Sequence, residues 1–494
     1  MRKIVYLLLF GVWALIGPLH AQPVKSDSVF VKLQQAFKAK SVVLLEPVLS
    51  TDFSVGVYNS PIAKSMLQNI VSSFAVDSIK LKASEKVSGK NSMLLIVYPH
   101  GEPAITTRAW LDEGNKLLYV DLFDQLYGLN RYQVSTLQAT IPIEVKDGSI
   151  FLIATINDSK KPLRFLFDTG ADGMAMRKST ADSLGLIVAR EQNTSVVGGS
   201  MKIQVSTGNT IHFDKFAVNN QSVAIFESVR EGTAGIIGIT LAYQYIVKVD
   251  FDKMVMQLYK MGNYKEEDKS GTTLNIKNGK GILVLPLNLK VGEKEVTGDF
   301  VFDTGAGYYV IGFGGFVKRN ELLSSGFKPY FAATTVSMGV SSPTFTGNFE
   351  KMAVGAIDLR NIPGTLKKYR EGDEYAKTED GSFGVKTISR FNFTINLAEK
   401  TIHLTPNQRF NTPVDFMLGD KMFSFNENGN MNVIADIGAE QLFKQGDVVL
   451  SINDIEAESL KKEPSRILEL QAIPSGSKLS FKVLRDGQVI KISA

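Results

Sequence analysis

The 494-residue chain contains no cysteine. That excludes disulfide staples, thiolate nucleophiles, thiolate metal sites and a lipidated cysteine, so packed cores alone must hold the fold. Histidine is nearly as scarce, with four copies. His20 falls in the N-terminal apolar segment, His100 precedes a glycine, and His212 and His403 sit on strand-like stretches without metal-ligand spacing. No metal and no other cofactor is expected. A serine triad would need one of these histidines beside a Gly-x-Ser-x-Gly elbow, which the chain lacks. Runs of basic residues are missing too. The formal charge of +5 is spread along the chain, so nucleic acid is not an expected partner.

Long apolar runs are also absent, apart from the first residues, "MRKIVYLLLFGVWALIGPLHAQ". A basic start at Arg2 and Lys3 leads into Ile4 to Ile16, and Gly17-Pro18 breaks the run before the small Ala21. The stretch is shorter than the roughly 20 residues that span a bilayer, and reads as a secretory signal peptide over 1–21. The mature chain is therefore expected to be exported, periplasmic or secreted, with no stable membrane span.

What remains has globular composition, 44% hydrophobic and 21% charged, at a length that suggests several domains. From 22 to 138, helical spacing ("FVKLQQAFKAK", "PIAKSMLQNIVSSF") gives way to strand-like runs ("SMLLIVYPHG", "KLLYVDLF"). This predicts a small α+β domain, cone-like in its order of elements, with Phe30, Phe53, Phe74 and Tyr98 as packing residues.

The centre of the chain is written twice. "FLFDTGADG" begins at Phe165, and "FVFDTGAGY" begins 135 residues later at Phe300. Each copy follows a two-strand pattern and precedes a short helical piece and a glycine-containing turn. Gly384 lies 146 residues beyond Gly238, and the strand pair from Ile395 keeps that offset from the pair at Val249. The copies are collinear, with eleven more residues in the second, and predict a duplicated lobe at 139–261 and 276–405. The polar stretch from Gly262 to Asn275 links them.

Each aspartate of the repeat ends an all-apolar strand, so the chain carries a carboxylate out of a buried layer. The threonine beside it offers a hydroxyl hydrogen bond, and the glycine lets a backbone N–H come close. Packed about a pseudo-twofold axis, the lobes would set Asp168 against Asp303. Like charges that close cannot both ionise, so the pair would share one proton and act as acid and base in one site.

Here the chain resembles the pepsin and retropepsin class of aspartic proteases, through Asp168-Thr169-Gly170-Ala171 and Asp303-Thr304-Gly305-Ala306. The elements Ile236-Ile237-Gly238 and Ser382-Phe383-Gly384 add to the likeness. The resemblance implies a mostly β fold with a pair of β-barrel lobes and catalytic Asp168 and Asp303, supported by Thr169, Gly170, Thr304 and Gly305. It implies a substrate-covering flap at Val197, Gly198 and Gly199, with Met338-Gly339 as its counterpart, and a peptide or protein substrate. Alanine after both triplets is the retropepsin habit, which suggests fused retropepsin lobes of bacterial type. Pepsin-like enzymes place a hydroxyl donor there, and its loss would move the active window up to roughly pH 5 to 7.

Residues 411–494 resemble a bacterial PDZ domain, carried by Gly446-Asp447 before "VVLSIND" and by a helix from Pro464 to Ala472. The resemblance implies a groove at Leu418, Gly419, Met422 and Phe423 that takes a peptide ligand and guides substrate. Two functions stand open on the residues: an exported aspartic endopeptidase, or an inactive two-lobed peptide-binding protein with the same interaction module.

Overall fold

The structure is a computed structural model that describes residues 26–494 except 197–198, 280, 338–339, 371–378 and 475–476. Residues 1–21, expected to be a signal segment, lie outside the described residues. The chain is mostly β, and divides into two compact units, one ending at Leu129 and one beginning at Asn130.

In the N-terminal unit, helices Ser26–Ala39 and Ile62–Ser73 accompany an antiparallel sheet of Val76–Val87, Lys90–Pro99, Ile105–Leu111 and Leu117–Val120, paired in chain order. The helices bury their apolar stripes: Val29, Leu33 and Ala36 from the first, Ala63, Leu67 and Ile70 from the second. Phe53 is fully buried in that core, and Phe30 and Phe74 pack against it. Tyr98 is half-buried and carries the Lys80 ammonium over its ring.

The second unit contains both copies of the repeat, and their strand orders match. In the first lobe the order runs from Val188–Val196 through Gly199–Phe213, Phe216–Phe226, Met174–Arg177, Gly235–Ile237 and Leu163–Phe167 to Ser149–Ile156. In the second it runs from Pro329–Ser337 through Val340–Val354, Ile357–Lys367, Val310–Gly312, Gly381–Gly384 and Lys294–Asp303 to Ile282–Val291. Each lobe closes on itself, by His212 against Thr155 in one and Leu289 against Met352 in the other. Closure shortens the open edges, leaving Val188–Val196 and Pro329–Ser337 as edge strands with one partner each.

The strands also show where the additional residues of the second copy lie. Val188 and Pro329 open equivalent strands 141 apart, so six residues enter before them; the remaining five enter between Lys367 and Gly381.

The lobes join through a shared antiparallel layer in which Tyr245–Asp250 pairs with Phe391–Asn396. Within it Lys248 faces Thr394, its own equivalent at the offset of 146, so the pseudo-twofold axis passes between these two residues. The linker glutamate Glu266 caps the junction, accepting from Lys248 Nζ at 2.9 Å and from Thr394 Oγ1 at 2.7 Å. Apolar repeat residues pack beneath this layer. Phe165, Phe167, Phe300 and Phe302 are fully buried, and the Phe302 ring meets Phe393 edge-on at 5.2 Å.

The C-terminal segment forms a seven-stranded sheet with helices Ala457–Lys462 and Ser465–Gln471 and a separate core around Phe423, Phe443 and Phe481. Its first strand, Phe416–Leu418, pairs with Lys421–Phe425, and Gln471 of the second helix donates to the Met417 carbonyl at 3.0 Å. The chain's own strand therefore lies between the neighbouring strand and that helix.

Candidate active site

Both aspartates stand where the sequence pattern sends them, at the ends of strands laid parallel to the second glycine element of their lobe. Phe167 pairs with Ile237, and Asp303 pairs with Gly384. The glycines of these elements are required by space. A Cβ on Gly238 would lie 2.3 Å from the Gly173 carbonyl oxygen, and one on Gly384 would lie 2.2 Å from that of Tyr308.

The two triplets grip each other across the axis. The Thr169 N–H donates to Thr304 Oγ1 at 3.0 Å, and the Thr304 N–H donates to Thr169 Oγ1 at 3.1 Å. Each hydroxyl passes its own proton on, Thr169 to the Phe302 carbonyl at 2.5 Å and Thr304 to the Phe167 carbonyl at 2.8 Å. Both threonines are completely buried. Four hydrogen bonds thus tie the lobes: two join threonine to threonine, and one from each threonine reaches the residue preceding the other lobe's aspartate.

That grip brings the carboxyl groups together. Asp168 and Asp303 are hydrogen-bonded to each other, and each lies against the glycine of the opposite triplet. A Cβ on Gly170 would fall 2.7 Å from Asp303 Cγ, and one on Gly305 would fall 2.2 Å from Asp168 Cγ. The inner arrangement is symmetric: Gly170 N–H donates to Asp168 Oδ1 at 2.9 Å, and Gly305 N–H to Asp303 Oδ1 at 3.0 Å.

Burial pushes both carboxyls above the ordinary range, and the charge of Asp168 raises Asp303 further. The backbone donors act in the opposite direction, but desolvation is the larger effect. A carboxyl pair in this state holds one proton under conditions where isolated carboxylates have lost theirs.

Other expected residues fall as follows. Thr169, Gly170, Thr304 and Gly305 all take part in the grip or touch a carboxylate. Val197 and Gly198 lie outside the described residues, while Gly199 opens the return strand of a hairpin with Val188–Val196. The second lobe carries an equivalent hairpin, Pro329–Ser337 with Val340–Val354, and the two hairpins have strands of the same lengths, 9 and 15 residues. Leu418 and Phe423 are core residues at 2% and 0% exposure, Met422 is half-buried, and Gly419 makes the turn between the two strands at φ +60°.

Sequence reasoning missed three residues. Ser382 Oγ donates to Asp303 Oδ2 at 3.3 Å, Tyr308 is buried so that desolvation and the charge of Asp303 push its phenol up, and the Tyr309 hydroxyl donates to Asp415 Oδ1 at 3.0 Å. A hydroxyl donor is therefore present on one carboxylate, although alanine follows both triplets. The signal was visible as a polar residue where the first lobe has Ile236. A cavity of about 650 Å³ lies away from the pair, lined by Arg164, Lys386, Arg390, Arg409 and residues of the C-terminal segment.

Residues 152–241 match the family model described as aspartyl protease. That segment begins in Ser149–Ile156, two strands before the first triplet, and ends just beyond the Ile236-Ile237-Gly238 element. Among solved structures, the aspartic proteinase from Irpex lacteus is matched at 12% identity and a TM-score of 0.37, over 55% of this chain and 97% of that one. No curated protein matches the chain.

Proposed function

We propose that the chain is an exported aspartic endopeptidase in which Asp168 and Asp303 form the catalytic dyad. One observation carries the reading: reciprocal threonine bonds hold two raised, mutually bonded carboxyls at the junction of duplicated lobes. The aspartyl protease match over the first lobe supports it.

In this reading the charged member of the pair takes a proton from a bound water as the water oxygen bonds to the peptide carbonyl carbon. The protonated member gives its proton to the carbonyl oxygen, and the product is a neutral tetrahedral diol. Proton transfer back to the amide nitrogen then breaks the C–N bond. The paired hairpins, alike in both lobes, favour two flaps over one and fit the fused-lobe reading. The C-terminal segment, read as a PDZ-type module, orients long substrates.

Incubation of the chain from Gln22 onward with a peptide library, with and without pepstatin, tests the reading by mass spectrometry. Cleavage that pepstatin blocks and that Asp168→Asn and Asp303→Asn each abolish is expected. No cleavage at any pH between about 3 and 8 would favour a peptide-binding protein without turnover.

A further inference from the structure

The two catalytic turns differ in length. The Arg177 N–H donates to the Ala234 carbonyl and the Phe313 N–H to that of Asp380, which is the counterpart of Ala234 at the offset of 146. Arg177 and Phe313 are therefore equivalent at an offset of 136, while the triplets stand 135 apart. One residue has entered the second turn. Asp172 and Gly173 separate Ala171 from the strand that opens at Met174, whereas Gly307, Tyr308 and Tyr309 separate Ala306 from the strand that opens at Val310. A longer turn has more conformations open to it and is harder to hold in one.

Groups that the first lobe lacks tie this added length down. Tyr309 is buried, and its hydroxyl donates to Asp415 Oδ1 and accepts from the Asp415 N–H, both at 3.0 Å. Lys386 donates to Asp415 Oδ2 and holds its ammonium 5.6 Å from the centre of the Tyr309 ring. Asp415 is itself buried, and Arg390 fixes the segment leading to it through the carbonyls of Phe410, Thr412 and Pro413. At the offset of 146 the first lobe has Thr240 and Gln244 in place of Lys386 and Arg390. From the backbone of Tyr309 the path returns to the pair. Its carbonyl accepts from the Gly384 N–H at 2.9 Å and from Thr387 Oγ1 at 3.1 Å. The Lys386 N–H donates to the Tyr308 carbonyl at 3.2 Å, and the Val385 N–H to that of Ala306 at 2.8 Å. Gly384 is the register partner of Asp303.

We propose that Tyr309 and Asp415 are positioning residues that brace the longer catalytic turn and so hold Asp303 against Asp168. The assignment rests on the dyad reading above. Burial, and then the charge of Asp415, push the Tyr309 phenol up, so it keeps the proton that it donates. A reacting group displaced by about 1 Å costs about 100-fold in rate, so a brace two bonds away from Asp303 matters to turnover.

Two readouts test this. On a short peptide, Tyr309→Phe and Asp415→Ala should each lower kcat by about 10-fold or more and leave KM within about twofold, since the turn shifts while the rest of the cleft does not. Asp415→Asn keeps an oxygen for the Tyr309 hydroxyl and should recover most of kcat. Combining Tyr309→Phe with Asp415→Ala should cost little more than either alone, because both break one link. Hydrogen exchange reads the turn without turnover. In Tyr309→Phe the Gly384, Val385 and Lys386 amides should exchange about 5- to 10-fold faster, while their first-lobe counterparts Gly238, Ile239 and Thr240 keep their rates. In a chain that cuts peptides, an unchanged kcat would overturn the proposal, as would exchange that is unaltered or rises alike in both lobes. If no form of the chain cuts any peptide and exchange rises only in the second lobe, the brace stands and the protease reading fails.

Discussion

Replacing Thr304 by valine keeps the shape of the side chain and removes one hydroxyl, and the structure sets the consequence. The Thr304 Oγ1 bond to the Phe167 carbonyl is lost, and the Thr169 N–H, completely buried, loses its acceptor. A lost internal hydrogen bond costs about 1 kcal/mol, and a stranded buried donor about 1–3, so the variant should lose about 2–4 kcal/mol. Thr169→Val removes the mirror-image pair of bonds and should cost nearly the same. The two threonines share both reciprocal bonds, so the cost of the double variant should depart from the sum of the single costs. Urea unfolding at fixed pH is the assay, with the midpoint falling and the denaturant slope unchanged. Costs below about 1 kcal/mol for either variant, or costs that differ by more than about 2 kcal/mol, would refute the reciprocal-grip account.

Gly305→Ala would put a methyl group 2.2 Å from Asp168 Cγ, so the carboxylate must move; kcat/KM should fall by at least about 100-fold with the fold retained by circular dichroism. The raised carboxyls also make stability pH-dependent. Asp303 keeps a proton in the folded state that it loses at about pH 4 when unfolded. Its contribution is therefore complete below that pH and disappears as pH rises through the folded value. Asp303→Asn should flatten this decline between about pH 4 and neutrality in urea unfolding, and an unaltered slope would place the shared proton elsewhere.

Two truncations should separate the C-terminal segment from the lobes. Arg390 is buried and donates to the carbonyls of Phe410, Thr412 and Pro413, and Asp415 binds Tyr309 and Lys386. Removing residues from Asn411 onward strands these groups and should lower the melting temperature. Removing residues only from Phe416 onward should spare it and leave short-peptide turnover close to that of the full chain, while cleavage of long substrates changes.

Much of the architecture was legible because it repeats. A collinear duplication fixes equivalence between residues, and the offset of 146 already marked Lys248 and Thr394 as counterparts. Periodicity also sufficed for the N-terminal helices and sheet, since local burial patterns follow from the pitch of the element. The C-terminal groove was less legible. Residues taken as ligand-facing, Leu418 and Phe423, are core, because the strand that contains Leu418 folds back onto its neighbour, and strand pairing is a choice that spacing alone does not specify.

The sequence by itself determined that two Asp-Thr-Gly-Ala turns end apolar strands in two equivalent lobes, because those features depend on residues close together in the chain. Only the tertiary structure decided that each threonine grips the opposite lobe and that each glycine makes room for the other's carboxylate. It alone also revealed that Ser382, 79 residues from Asp303 in the chain, donates its hydroxyl to that carboxylate. Those contacts join chain segments 79 to 137 residues apart, and no local pattern carries them: packing across the axis, which buries and raises the carboxyls, is what brings them into being.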